Sequence, residues 1–407
     1  MEGWRESALG SSPLPVWAVK YIFKKKIYSA AATVLDAAGN TLSLPLKHRR
    51  PLKENFSTIV VVRMDHLGDV LLATAVPKIL KENFPMSRLI FLTSSWSAPL
   101  LRHNPFVDEV ILYDAPWFSK KRYARNPESL TFGQLVQRLR TCHADLGIGL
   151  RGDARENILL ALAGVTERVG YGITGGGFLL TRQSRYREGV HESEHVLDLL
   201  RAIRIRVDVL KPQLYFSEDE KMHFEKKLEG WGIVPGRKYV GFQVGAGTSS
   251  KRWPARNARS FLNLFKGRFV DYGLVFVGSN RQEAAKIEDF TGDRFLNLTG
   301  KTTLRETCLL VKKFSAFVGP DSGPAHIAAV MDVPTVFLYS GTNRFEQWKP
   351  LAERALIVRH AVPCSPCELE LCNVPGHPCM SQITAGEVAN ALARALEMNA
   401  GSTETVP

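Results

Sequence analysis

Val318-Gly319-Pro320-Asp321-Ser322-Gly323-Pro324-Ala325-His326, followed by Ile327-Ala328-Ala329 and the apolar run Thr335-Val336-Phe337-Leu338, reads as strand, tight loop and helix start. A helix N-terminus leaves backbone N–H groups without intrahelical acceptors and carries partial positive charge. Gly323 lets a ligand approach the chain closely, so the stretch is suited to holding phosphate. The plainer alternative is that Asp321 or Ser322 serves only as a helix cap.

The same grammar recurs upstream. Thr58-Ile59-Val60-Val61-Val62-Arg63 is a continuous β-branched run of the kind parallel sheets bury on both faces. It ends in Met64-Asp65-His66-Leu67-Gly68-Asp69, after which Val70, Leu71, Leu72, Ala75, Val76, Ile79 and Leu80 have helical spacing. The three spaced glycines of a dinucleotide fingerprint are absent, which removes the main support for a dehydrogenase.

Further strands are predicted over 88–92, 109–113 and 145–150, with a helix over 132–140. The strand 145–150 runs into the charged cluster Arg151-Gly152-Asp153-Ala154-Arg155, at the sheet edge where open α/β folds place ligands. Residues 169–187 read as a flexible basic loop. His191-Glu192-Ser193-Glu194-His195 matches the His-Glu-x-x-His zinc-protease pattern, but as a lone match at a helix start it reads better as helix-entry polar residues.

A charged helix over 218–231 leads to a second alternating set. The strand 239–244 is followed by Gly245-Ala246-Gly247-Thr248-Ser249-Ser250-Lys251-Arg252-Trp253-Pro254, where glycines, hydroxyls and a lysine suit a diphosphate. After the strand 274–279, Asn280 and Glu283 stand where a ribose or base edge is read. Two consecutive strand–helix sets predict two doubly wound domains with a cleft between them.

Length agrees, because 407 residues exceed what one core supports. A formal net charge of +13 favours anionic partners. No RNA-binding signature or zinc-finger spacing supports nucleic acid as one of them. No apolar run of about 18 residues occurs, and with no secretory pattern the expectation is a cytoplasmic protein. Residues 1–55 read as an extension. Its segment 16–28 mixes aromatic and aliphatic residues with a lysine cluster, suiting either a helix lying on an anionic membrane surface or one packed on its own protein.

Taken together, Arg63 to Leu71, Arg151-Gly152-Asp153, Lys251-Arg252-Trp253-Pro254, Asp321 to His326 and the cysteine-rich tail resemble, in order, the signatures of glycosyltransferase family 9, the ADP-heptose:lipopolysaccharide heptosyltransferases. The resemblance spans about 57–395. It implies an α/β GT-B fold of two Rossmann-like domains, with 56–215 binding the acceptor, 216–395 binding the nucleotide-sugar and 396–407 a flexible tail.

It also implies inverting transfer with no metal required for catalysis, from an ADP-sugar to a lipid-linked glycan at the inner face of the cell membrane. A UDP- or GDP-sugar enzyme, an epimerase and a non-catalytic nucleotide-binding adaptor are the alternatives. Asp69 maps onto the catalytic base, with Asp65 the competing carboxylate, and Asp65, Arg151 and Asp153 fall on the acceptor side. Thr248, Lys251, Asp321, Ser322, Gly323, Pro324 and His326 fall at the donor diphosphate, and Asn280 or Glu283 at the ribose. Cys364, Cys367, Cys372 and Cys379 suit either four thiolates on a structural zinc or a redox-sensitive loop, with His360 and His377 nearby as substitute ligands.

Overall fold

The computed structural model describes residues 26–43, 51–118, 126–279, 281–287, 289–290 and 292–400. By its internal contacts the chain divides into two compact units, 1–211 and 212–407.

The first unit is built on one parallel sheet with strands β1 (Thr58–Val62), β2 (Arg88–Thr93), β3 (Glu109–Leu112), β4 (Leu146–Gly149), β5 (Glu167–Gly170) and β6 (Arg182–Gln183), in the order β3-β2-β1-β4-β5-β6. The apolar run of β1 follows from burial on both faces. Ile59 and Val61 pack with Phe91, Ile148 and Leu200, while Val60 and Val62 pack with Ile90, Leu92 and Leu135. Full burial of each such side chain is worth roughly 1.5–3 kcal/mol.

The second unit repeats the plan with β7 (Lys238–Gln243), β8 (Tyr272–Val277), β9 (Phe295–Asn297), β10 (Ala316–Pro320), β11 (Thr335–Leu338) and β12 (Ala355–Val358), all parallel, in the order β12-β11-β10-β7-β8-β9. Its strands alternate in the same way. Val240, Phe242, Val318, Val336 and Leu338 enter one core layer, and Tyr239, Phe317 and Phe337 the other.

In each sheet the strand order reverses at one place, between β1 and β4 in the first and between β7 and β10 in the second. The chains leaving neighbouring strands diverge there, which opens a crevice at the carboxyl ends. Arg63, Asp65 and Asp69 follow β1, and Arg151 and Asp153 follow β4. Lys251 follows β7, and Asp321 and Ser322 follow β10. All four segments flank a reversal point.

The segment 169–187, expected to be loop, contains the end of β5 and the whole of β6. Only Val169 in β5 is a large apolar residue, so no hydrophobic period marks it, and pairing with β4 decides its conformation. Most of the segment 16–28 lies outside the described residues. The following helix, Lys26–Ser43, packs on the first unit. Ala32 and Asp36 are buried, and Asp36 Oδ1 accepts from the Gly176 N–H at 2.7 Å.

Candidate active site

The first reversal point is organised by one buried cation. Arg63, at the end of β1, is 2% exposed. Its Nε donates to Asp65 Oδ1 at 3.0 Å, Nη1 to the Leu150 carbonyl at 2.9 Å, and Nη2 to both Asp69 Oδ1 (2.7 Å) and Glu192 Oε1 (3.2 Å). Burial opposes its charge, but Asp65, Asp69 and Glu192 override that and hold the guanidinium firmly ionised.

The two competing carboxylates differ in what is left over. Asp65 is clamped on both oxygens, by Arg63 on Oδ1 and by Arg151 Nη1 on Oδ2 at 2.8 Å. Asp69, in the first turn of the helix Leu67–Ala73, has Oδ1 held by Arg63, and Oδ2 has no partner among the described residues. One oxygen oriented and one open is the geometry of a group that can accept a proton.

Arg151 also lies over the Phe118 ring, 4.2 Å from its centre. Gly152 has φ 81°, and an added Cβ would stand 2.6 Å from Tyr171 Cβ, so the chain needs glycine there to turn from β4 into the next helix. Asp153 caps the helix Ala154–Leu162 by accepting from the Arg155 N–H, and it also receives the Arg155 Nε at 2.7 Å. Burial opposes ionisation of Asp153, yet the Arg155 hydrogen bonds hold its carboxyl below the usual range.

Glu156 is buried on the same helix, with Oε1 unpartnered and Oε2 3.4 Å from the Arg151 N–H. Burial, then Asp153 and Asp65, push its carboxyl up to about 8. The folded chain therefore keeps a proton that the unfolded chain has lost, and stability falls as pH rises from about 4.5 to about 8. Glu156→Gln is expected to remove that slope. Urea melts should show no gain near pH 4.5 and a gain on the order of 3 kcal/mol near pH 8.

The His-Glu-x-x-His match is not a metal site in this fold. His191 is the N-cap of the helix Glu192–Arg201, its Nδ1 accepting from the Ser193 N–H at 3.0 Å. Glu192 is committed to Arg63, and His195 lies between Glu192 Oε2 (3.0 Å from Nδ1) and the Arg187 carbonyl (2.8 Å from Nε2).

In the second unit a buried carboxylate is the hub. Asp321 is 2% exposed. Its Oδ2 receives Lys251 Nζ and Asn343 Nδ2, each at 2.8 Å, and its Oδ1 is 2.8 Å from His326 Nε2. Burial opposes its ionisation, but the Lys251 ammonium and His326 hold it well below the usual carboxylate range. Asp321 is thus more than a cap, because it gathers three side chains from separate segments.

Lys251 also donates to the Asp321 carbonyl at 3.1 Å, leaving one of its three N–H groups for a ligand. His326 presents Nε2 to Asp321, with its ring 5.2 Å from that of Phe337. Ser322 is the N-cap residue of the helix Gly323–Val330, and its Oγ accepts from Gln243 Nε2 at 2.6 Å. Thr248 Oγ1 accepts from the Ser250 hydroxyl at 3.2 Å.

Beside this hub, at the ends of β7 and β10, a recess is lined by Gln243, Gly245, Trp253, Glu283 and Pro320 among others. Glu283 is bonded to Arg252 at 3.1 Å and Lys286 at 2.9 Å. Asn280 lies outside the described residues. Gln243 and Asn343 were not singled out from the sequence. Each is a lone amide joined to the site, Gln243 at Ser322 and Asn343 at Asp321, across more than 20 positions, so no local spacing could reveal it.

Cys364, Cys367, Cys372 and Cys379 do line one small cavity together with His377. Among the described residues, however, no three His, Cys, Asp or Glu side chains converge so as to hold a metal ion, and the cysteines are free thiols. Two of the thiols have local contacts: Cys367 Sγ lies 3.5 Å from Thr342 Oγ1, and Cys372 Sγ lies 3.7 Å from the Val374 carbonyl. His377 is turned to the Ser250 carbonyl, and His360 to Glu387.

Two doubly wound sheets, each with charged side chains gathered where its strand order reverses, are the frame of a GT-B glycosyltransferase. The model of glycosyltransferase family 9 (heptosyltransferase) matches residues 132–377, and the chain belongs to that family. Lipooligosaccharide heptosyltransferase 2 of Campylobacter jejuni is 25% identical over 332 residues, covering 79% of this chain and 94% of that protein. Lipopolysaccharide heptosyltransferase 2 of Salmonella typhimurium is 25% identical over 333 residues, covering 74% and 87%. Among solved structures, the Escherichia coli ADP-heptose lipopolysaccharide heptosyltransferase II aligns over 84% of this chain and 99% of its own, with a TM-score of 0.66 and 21% identity.

Proposed function

We propose that the protein moves a heptose from ADP-heptose to a lipopolysaccharide-core acceptor at the cytoplasmic face of the membrane, with Asp69 as general base. The observation that carries this reading is the contrast between Asp65, bonded on both oxygens, and Asp69, held on one and open on the other. The acceptor hydroxyl gives its proton to Asp69 Oδ2 as its oxygen bonds to the anomeric carbon. The bond from that carbon to the diphosphate breaks, and ADP leaves with the electron pair. Displacement from the opposite side inverts the centre.

The leaving diphosphate gathers negative charge. At the start of the helix Gly323–Val330, Pro324 has no N–H and the Ala325 and His326 N–H groups donate to the Ser322 carbonyl, so the Gly323 N–H, without an acceptor among the described residues, and the remaining Lys251 donor are the groups that suit that charge. Asp321 would position Lys251 and His326 for this task rather than touch the nucleotide. Trp253 and Glu283 in the adjoining recess would take the nucleoside. Among the described residues no helix is long and apolar enough to cross a membrane. The net charge of +13 supports peripheral attachment to an anionic surface.

The choice of nucleotide rests on the relatives. The E. coli heptosyltransferase WaaC was solved with ADP, and its fold aligns to this chain with a TM-score of 0.62. Titration calorimetry with ADP, UDP and GDP in a chelating buffer tests it. ADP is expected to bind at least tenfold tighter than the other two, and Lys251→Ala to weaken it. A preference for UDP or GDP would overturn the donor assignment, and loss of binding in the chelator would overturn metal independence.

A further inference from the structure

We infer that Glu192, backed by His195, is a positioning residue for transfer, acting through Arg63 to set the orientation of Asp69. The inference deepens the proposed function and rests on Asp69 being the base. The sequence match that suggests a metalloprotease becomes, in this fold, the supporting arm of a general base.

The connection is continuous. Arg63 Nη2 is shared between Asp69 Oδ1 at 2.7 Å and Glu192 Oε1 at 3.2 Å. Glu192 Oε2 meets His195 Nδ1 at 3.0 Å, and His195 Nε2 meets the Arg187 carbonyl at 2.8 Å. The imidazole is fixed on its face by Tyr186, stacked with ring centres 3.9 Å apart. The Tyr171 hydroxyl donates to the His195 carbonyl at 2.6 Å, which ties down that turn of the helix. Arg63, Glu192 and His195 are all buried, at 2%, 6% and 2% exposure.

A buried ion cluster of this kind is a costly way to gain stability, since apolar residues of similar volume often do as well. Its placement one hydrogen bond from Asp69 gives it a use. A carboxylate sharing the nitrogen that holds Asp69 draws part of the guanidinium charge to itself. The bond to Arg63 also fixes the carboxylate so that Oδ2 is the oxygen left free.

The charged and titratable groups around Asp69 come from four segments. Arg63 closes β1, and Asp65 and His66 stand on the loop after it. Arg151 and Glu156 follow β4, with Arg151 bonded to Asp65. Glu192 and His195 come from the helix Glu192–Arg201, with Arg187, Glu194 and Asp198 outside them in a separate ion cluster. Of these, Glu192 alone shares the donor nitrogen with Asp69.

The test is steady-state kinetics on Glu192→Gln, His195→Gln and Asp69→Asn, each checked for wild-type circular dichroism. Glu192→Gln keeps the shape and removes the charge. It is expected to lower kcat about three- to tenfold and leave the donor KM within about twofold. His195→Gln keeps Glu192 charged but loosens it, and should lower kcat less with a similar donor KM.

A folded Glu192→Gln enzyme with wild-type kcat would overturn the inference. So would a change in donor KM as large as the change in kcat, because that is the mark of a merely structural role. If Asp69→Asn itself keeps full activity, the assignment of the base fails first. If Asp69→Asn is inactive and Glu192→Gln is wild type, only the positioning role is lost.

Discussion

Asp69→Asn is expected to lower kcat by about three orders of magnitude, within the range a positioned general base supplies, while leaving fold and donor affinity intact. The amide keeps the size of the carboxylate and can still accept from Arg63 through its oxygen. It cannot take the acceptor's proton. Asp69 is 8% exposed and bound by one charge-assisted hydrogen bond, so the expected loss of stability is small beside the loss of rate. Calorimetry with ADP and a single-turnover assay on the same preparation separate the two. Asp65→Asn should behave differently, because it removes the charge that both Arg63 and Arg151 face, and its effect should fall on stability as well as on rate.

Asp321→Ala is expected to be the most destabilising single change in the second unit, by about 3–5 kcal/mol at neutral pH. Lys251 would be left without its counter-charge, and Asn343 and His326 without their acceptor. The pH dependence has a definite sign. A carboxyl held below its unfolded value contributes stability that is complete above the ordinary carboxylate range and is lost as pH falls through and below about 4. The gap between wild type and variant, read from urea melts, should stay constant from pH about 8 to 5 and narrow only in acid. Asp321→Asn restores the shape without the charge. It should recover part of the stability but little of the ADP affinity, if Lys251 must be held in place to meet a diphosphate.

The strands β1, β2, β7, β10 and β11 could be read from the chain because each is a run of large apolar residues covered on both sides. Their loops could be read because glycine, hydroxyl and charged residues crowd directly after them. β5 and β6 could not. Their residues carry no period, and their pairing is with strands brought alongside by the fold.

The same division runs through the site. Asp65 and Asp69 stand four residues apart in one motif, and nothing local says which is the base. The distinction comes from Arg151, which lies 86 positions from Asp65 and covers its second oxygen. The spacing of the four cysteines suits either a metal or a redox-sensitive loop, and only the fold shows that all four line one small cavity.

By itself the sequence determined the two doubly wound halves, the family, and the segments that carry the chemistry, because alternating burial and phosphate-suited loops are local properties of the chain. Tertiary structure alone decided which groups act together. Arg63 joins Asp69 to Glu192 across 129 positions of sequence from its own place in the chain, and Asp321 joins Lys251 to Asn343. The strength and direction of a charge pair depend on separation and burial in space, and those exist only once the strands are laid side by side.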